Sequence, residues 1–371
     1  MISAGEASGE LYGALLSKEI KKRWPETEIT GMGGNRMKDA GVTLIAPISS
    51  AIGLTEVIKH LREIRESFKK AKEALINKKP DLLVLIDYPD FNLALAKRAK
   101  SAGIPILYYV SPQVWAWRRG RVKKIASLVN KMAVLFPFEV DIYKNAGVPV
   151  EFVGHPVAET ISIIPSKEEL KQTLGLNPDK PVITLLPGSR PAEIKKHTPI
   201  IKKVAEMIHN GLPGFQIVVP LAPGSKLTEK MPDYITVFNN LTREAVACSD
   251  ASAVASGTAT LETALLGTPM VVFYKLSPLT FFLGKLLIKV NFISLVNILS
   301  GKKVAAELIQ EKATAENIFL EIKKILMDNN YRQEMILNLN KIKAIMGEKT
   351  ASMRTASIIG ELAGWNNTNA S

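Results

Sequence analysis

The stretch that most constrains this chain is PVITLLPGSR, Pro181 to Arg190. A compact apolar run empties into Pro187-Gly188-Ser189-Arg190, and helical spacing begins at Ala192. Strand, small-residue turn and helix form the repeating unit of a parallel sheet covered by crossover helices. The same unit has an anion-binding shape. Amides at the start of the helix are expected to face outward, and Arg190 adds a planar cationic fork. DASAVASGTATLE repeats the arrangement, with Ser256, Gly257, Thr258 and Ala259 in the turn and Glu262 on the helix. Either turn alone is equally an ordinary strand-to-helix loop. Together, Gly188, Ser189, Arg190 and the Ser256 to Ala259 turn predict one diphosphate-bearing ligand.

Short apolar runs recur between helical stretches all along the chain. The first half holds TEITGMGG, DLLVLID, PILYYV, KMAVLF and VEFV; the second holds VITLLP, QIVVP, ITVF, ASAVA and PMVVFY. Continuous apolarity predicts parallel strands buried on both faces, so the fold class is α/β with two Rossmann-like domains. A chain of 371 residues can bury two such cores. The more polar, proline-bearing stretch after Gly154-His155-Pro156 marks the join. The expected organisation is residues 1–157, residues 158–345, and a tail of residues 346–371 whose helix crosses back before its end frays. Met1 to Ala4 supplies only a stub of strand, so either the first strand is short or the natural start lies upstream.

Composition narrows the partners. A single cysteine, Cys248, excludes an intramolecular disulfide, and no charged-then-apolar leader precedes the first motif, so a reducing cytoplasm is expected. Lys and Arg outnumber Asp and Glu by 48 to 35, a net charge of +13 that calls for an anionic partner. Ser111 to Phe138 contains no acid, while Arg118, Arg119, Arg121, Lys123, Lys124 and Lys131 sit beside Trp115 and Trp117. Thr263 to Ala306 contains none either, and Lys275, Lys285, Lys289, Lys302 and Lys303 punctuate its apolar run. Lysine among Leu, Ile and Phe is the composition of an interfacial helix, whereas nucleic-acid sites mix basic with polar and stacking residues. The alternative is a buried helix and strand whose lysines reach out to solvent. No apolar run approaches the roughly 18–20 residues of a spanning helix. Peripheral attachment to an anionic membrane surface is therefore expected, and nucleic acid is not.

Asp87 and Asp90 follow a central apolar strand, at the end where open α/β sheets place ligands. One can act as general base while the other orients it or caps the next helix. Asp90, further out, is the preferred base, with Asp87 the alternative. His155 is read as a binding or acid/base partner, against the alternative of a hinge histidine satisfied by backbone. His60, His197 and His209 fall on predicted helical surfaces. Glu6, Ser8 and Gly9 lie in an opening loop whose small residues let a substrate approach the backbone, and Glu10 reads as a helix N-terminal acid. Glu262 is placed to accept two hydrogen bonds from a ribose diol. Neither metal-ligand spacing nor a Walker lysine occurs, so no metal, no cofactor and no ATP hydrolysis are expected.

GEASGE, IDYPDFN, YYVSPQVWAW, VGHP, LLPGSR, ASGTATLE and SLVNILSG occur in an order and spacing that resemble the lipid-A-disaccharide synthase family, from Met1 to about Gly360. YVSPQVWAWRRGRV is the most specific of these strings. The resemblance implies a GT-B fold, with a cleft between the Rossmann-like domains and a C-terminal helical tail packing across. It implies an inverting, metal-independent glycosyltransferase of lipid A biosynthesis, cytoplasmic and peripheral on the inner face of the inner membrane. Its donor would be UDP-2,3-diacylglucosamine, and its acceptor 2,3-diacylglucosamine 1-phosphate. By the same resemblance Asn297 lines the cleft, and Trp115, Arg118 and Arg119 serve the acceptor and its lipid. A homodimer is compatible with all of this. The sequence departs from the family pattern at Tyr88, where a smaller residue is expected, and at Val296, where a proline is. The competing readings are another UDP-sugar enzyme of this fold, such as an epimerase or a polyprenyl-linked transferase, and a non-catalytic basic membrane-surface protein.

Overall fold

The computed structural model describes residues 1–47, 54–115, 120–161, 165–276, 291–346 and 350–365. The chain divides into two compact units, Met1–Glu159 with Glu348–Ser371, and Thr160–Gly347.

In the first unit seven strands form one sheet: β1 (Ile2–Ala4), β2 (Ile29–Gly33), β3 (Val42–Pro47), β4 (Leu83–Ile86), β5 (Ile106–Tyr109), β6 (Lys131–Val134) and β7 (Val150–Phe152). Their order is β3-β2-β1-β4-β5-β6-β7, and every pair is parallel. The second unit repeats the plan with β8 (Val182–Leu186), β9 (Gln216–Leu221), β10 (Ile235–Asn239), β11 (Ala251–Ala255), β12 (Met270–Tyr274) and β13 (Ala306–Ile309). The order is β10-β9-β8-β11-β12-β13, again all parallel. Two doubly wound sheets are what the alternating apolar runs predicted. In each, strand order reverses at an inner pair, β1 with β4 and β8 with β11, and ligands of such sheets gather beyond the carboxyl ends of that pair.

Burial explains why the inner strands were legible. β4, β8 and β11 are buried at every residue, as strands covered on both faces must be. β3 and β13, which sequence reading did not name, lie at sheet edges. Most of their residues are partly or fully exposed, and β13 carries Glu307, so neither forms a continuous apolar run.

Helix Pro191–Gly211 corrects one expectation. His197 was placed on a solvated face, yet it is fully buried on a stripe with Ile194, Ile201, Val204 and Ile208. Those positions recur at helical spacing, so the histidine sits in the apolar seam. The C-terminal helix Ala351–Ala363 belongs to the first unit, where it packs on helix Ala7–Arg23. Arg23 donates to Ser357 Oγ at 2.7 Å, and the Trp24 and Trp365 rings meet edge to face with centroids 5.1 Å apart.

Candidate active site

In the first unit β4 ends at Ile86, and the chain turns through Asp87 and Tyr88 with φ of 46° and 47°, two consecutive left-handed residues without a glycine. Such backbone is costly for L-residues and persists only where its surroundings impose it. Asn92, fully buried one turn into helix Pro89–Ser101, is the brace. Its Nδ2 donates to the carbonyls of Asp87 at 2.7 Å and Ile86 at 3.2 Å, while its Oδ1 accepts from Ser3 Oγ at 2.7 Å. Tyr108 OH adds a second donor to Asp87 O at 2.9 Å. The Tyr88 ring stacks on Phe91 and lies against Gly5, where any Cβ would clash with the ring carbons. The unexpected tyrosine is therefore matched by the glycine of the opening loop.

This turn carries Asp90 into the first turn of the helix, with its side chain 81% exposed and paired with Arg121. Tyr88, between the two aspartates, occupies the N-cap position and makes no side-chain cap bond. Glu6 is exposed at the start of helix Ala7–Arg23, Ser8 is half-buried, and Gly9 is buried near Ile86. Glu10 accepts from the Arg36 amide at 2.8 Å and thereby anchors the short helix Asn35–Asp39.

His155 needs correction as an acid/base partner. It is 3% exposed, with the Tyr12 ring edge-on and Phe136 tilted against it, and its Nδ1 accepts from the Val157 amide at 3.2 Å. Burial pushes its pKa down to about 3, so the ring stays neutral and enclosed. Trp115 is half-buried, edge-on to Phe138 at 5.3 Å. Arg118 and Arg119 lie outside the described residues, as do Lys285 and Lys289 of the apolar-basic stretch. A group missed in the sequence is Glu139, 2% exposed at the start of helix Pro137–Lys144. It accepts from the Phe136 amide at 3.1 Å, and burial drives its pKa up to about 8.

In the second unit the two turns differ. After β8, Gly188 adopts φ of 110°, which brings the loop back over Glu193. The amides of Ser189 and Arg190, expected to be open, donate to Glu193 Oε2 at 3.2 and 3.3 Å. Glu193 Oε1 also accepts from Tyr274 OH at 2.8 Å and lies 3.5 Å from the half-exposed Arg190 guanidinium. The chain's own carboxylate already occupies those amides. His197 secures the loop from beneath: Nδ1 bonds Pro187 O at 2.7 Å and Nε2 accepts from the Lys275 amide at 3.1 Å, which places the proton on Nδ1.

After β11, Gly257 precedes helix Thr258–Leu265, which has no side-chain cap. Among the described residues no acceptor meets the amides of Gly257, Thr258 and Ala259. Ser256 Oγ reaches Ile293 O at 3.4 Å. Glu262 is paired with Arg243, whose guanidinium also donates to Thr160 O at 3.2 Å. Asn297 was expected to line a cleft, and this is corrected too. It is fully buried, accepting from the Val304 and Ala305 amides at 2.7 and 2.9 Å and donating to Ala305 O and Glu307, each at 2.8 Å. Its four bonds knit helix Leu295–Ser300 to β13 through Glu307 and to the Val304-Ala305 segment just before it, and nothing in the spacing of SLVNILSG signals that.

Among the described residues no His, Cys, Asp and Glu gather into a set that could hold a metal, and no helix is long and apolar enough to cross a membrane. Two open parallel sheets with acidic and amide-rich turns at their carboxyl ends suit sugar-nucleotide chemistry, and comparison with known proteins identifies the family. The fold is shared with the UDP-GlcNAc 2-epimerase from Neisseria meningitidis bound to UDP-GlcNAc, at 13% identity and a TM-score of 0.67 over 97% of this chain and 99% of that one. It is shared also with the calicheamicin glycosyltransferase CalG4, at 15% identity and a TM-score of 0.58 over 98% and 97%. In sequence the chain is 44% identical to the lipid-A-disaccharide synthase of Geobacter metallireducens over 98% of this chain and 97% of that one. It is 45% identical to that of Trichlorobacter lovleyi over 97% and 96%. A family model described as lipid-A-disaccharide synthetase matches residues 1–359. With both Rossmann-like halves inside that match, the chain belongs to the lipid-A-disaccharide synthetase family of glycosyltransferases.

Proposed function

We propose that this enzyme transfers 2,3-diacylglucosamine from its UDP derivative to the 6-hydroxyl of 2,3-diacylglucosamine 1-phosphate, giving the β(1→6) disaccharide phosphate and UDP. The observation that carries the reading is the braced Asp87–Asp90 turn at the switch point of a chain that matches the family almost end to end. Asp90, exposed at the carboxyl end of the first sheet, takes the proton of the acceptor hydroxyl as its oxygen attacks the anomeric carbon. The bond from that carbon to the diphosphate oxygen breaks, and its electron pair leaves with UDP. Attack from the face opposite the leaving group inverts the anomeric centre.

The second unit binds the nucleotide. Charge developing on the diphosphate meets the open amides of Gly257, Thr258 and Ala259, with Arg190 adding its cation. Glu262, fixed by Arg243, accepts from the ribose diol. The first unit takes the acceptor, with Trp115 and the basic residues after it beside the acyl chains and the phosphate. The net charge of +13 and the apolar-basic stretches support attachment to an anionic membrane surface on the cytoplasmic side. The test is incubation of the purified protein with both acylated substrates in EDTA, following disaccharide and UDP together. Stoichiometric appearance of the two is expected. UDP without disaccharide, or no turnover until a divalent metal is restored, would overturn the proposal.

A further inference from the structure

We infer that Arg121 is the positioning residue for the carboxylate of Asp90, an inference that rests on the reading of Asp90 as the base. The two side chains are bonded from Arg121 Nη2 to Asp90 Oδ1 but stand in very different surroundings. Asp90 is 81% exposed, whereas Arg121 is only 15% exposed. The covered partner is the one whose place is fixed by packing, so the arginine sets where the aspartate points. Arg121 opens helix Arg121–Ala126, on the segment that follows β5, while Asp90 opens the helix that follows β4. The bond therefore ties together the two loops at the carboxyl ends of adjacent strands.

The cation also lies near the floor of the same turn. Burial, then the Asp87 carboxylate and the Tyr143 phenol, push the Tyr108 phenol well above its ordinary range, and Arg121 pulls it back. Tyr108 is the residue that donates to Asp87 O. Arg121 thus bears on the Asp90 carboxylate, while Asn92 and Tyr108 hold the Asp87 carbonyl of the same turn. A planar guanidinium suits this task, because the fixed directions of its N–H groups orient a bonded carboxylate oxygen as a freely rotating ammonium cannot. An ion pair with one partner this exposed adds little to stability, so its value is orientation.

The test measures kcat and both KM values for Arg121→Gln, Arg121→Lys and Arg121→Ala, alone and with Asp90→Asn. Misplacing the base lowers kcat of Arg121→Gln by about 10²-fold with both KM values within about twofold of wild type. Arg121→Lys recovers part of that loss. Free guanidinium, at concentrations too low to unfold the protein, restores turnover to Arg121→Ala. In the Asp90→Asn background, removing Arg121 costs nothing further. An unchanged kcat, a raised acceptor KM with kcat preserved, or an additive loss in the double variant overturns the inference; the second of these would make Arg121 a ligand of the acceptor phosphate. Turnover retained by Asp90→Asn removes the base itself. An inactive Asp90→Asn beside a fully active Arg121→Gln removes only the role given to the arginine.

Discussion

Replacing Asn92 with alanine tests whether the strained turn is held by its brace. The side chain makes three good hydrogen bonds, to Ser3 Oγ, Asp87 O and Ile86 O, in a fully buried position. At about 1 kcal/mol each, their loss removes about 3 kcal/mol. Ser3, itself fully buried, is left without its acceptor and adds on the order of 1 kcal/mol more, whereas Asp87 O keeps the Tyr108 hydroxyl. The lost bonds therefore cost about 4 kcal/mol before any relaxation. Asp87 and Tyr88 together store about 2 kcal/mol in their left-handed conformations. Without the amide the turn relaxes and recovers that strain, which leaves a net destabilisation of about 2 kcal/mol, read as a shift in the urea midpoint at constant slope; the movement carries Asp90 with it, so kcat of the folded variant falls by about 10²-fold. Ser3→Ala removes one bond and leaves the buried Asn92 Oδ1 without its donor, so it lowers stability by about 2 kcal/mol, but the Nδ2 contacts remain and kcat is unchanged. A shift below about 1 kcal/mol for Asn92→Ala, or a folded variant turning over at the wild-type rate, would refute the reasoning.

Three further outcomes are expected. Asp90→Asn lowers turnover by about 10³-fold while calorimetric UDP binding is retained, and surviving turnover would pass the base role to Asp87. Glu193→Gln removes the charge that competes for the Ser189 and Arg190 amides, so UDP binds several-fold more tightly by calorimetry; weaker binding would mean that the carboxylate only shapes the loop. Glu139 has a folded pKa of about 8, raised from 4.5. Its contribution to stability is therefore present in full below about pH 4.5 and is lost as pH rises toward 8. Glu139→Gln keeps the acceptor for the Phe136 amide, so its urea midpoint should exceed that of wild type by a margin that widens between pH 5 and pH 8.

Sequence alone made the inner strands legible because burial on both faces leaves only one kind of residue to use. The carboxyl ends of those strands then located Asp87, Asp90 and the two turns without any knowledge of side-chain contacts. What stayed hidden were the buried polar hubs. His197 was read as a solvated residue and Asn297 as one lining a cleft, and nothing in the local pattern singled out Asn92. Asn92 is satisfied by Ser3, far away along the chain, and His197 by the Lys275 amide of a distant strand end. A hydrogen bond made across a fold leaves no periodicity in the sequence.

The two glycine turns of the second unit show where a finer reading was available. Both have a strand, a glycine turn and a helix start, yet one is filled by the protein itself and the other is open. The difference lies in the third residue of each helix. In PGSRPAE that residue is Glu193, long enough and charged so as to reach back to the N-cap amide, as in a capping box. In SGTATLE it is Thr260, whose short hydroxyl is spent on the Gly257 carbonyl. A diphosphate arriving at the first turn has to displace a carboxylate of like charge, whereas at the second it meets amides with no acceptor to lose. On the proposed reading, the open turn after β11 is the one that sets nucleotide affinity, and Arg190 contributes by the reach of its side chain more than by its own amide.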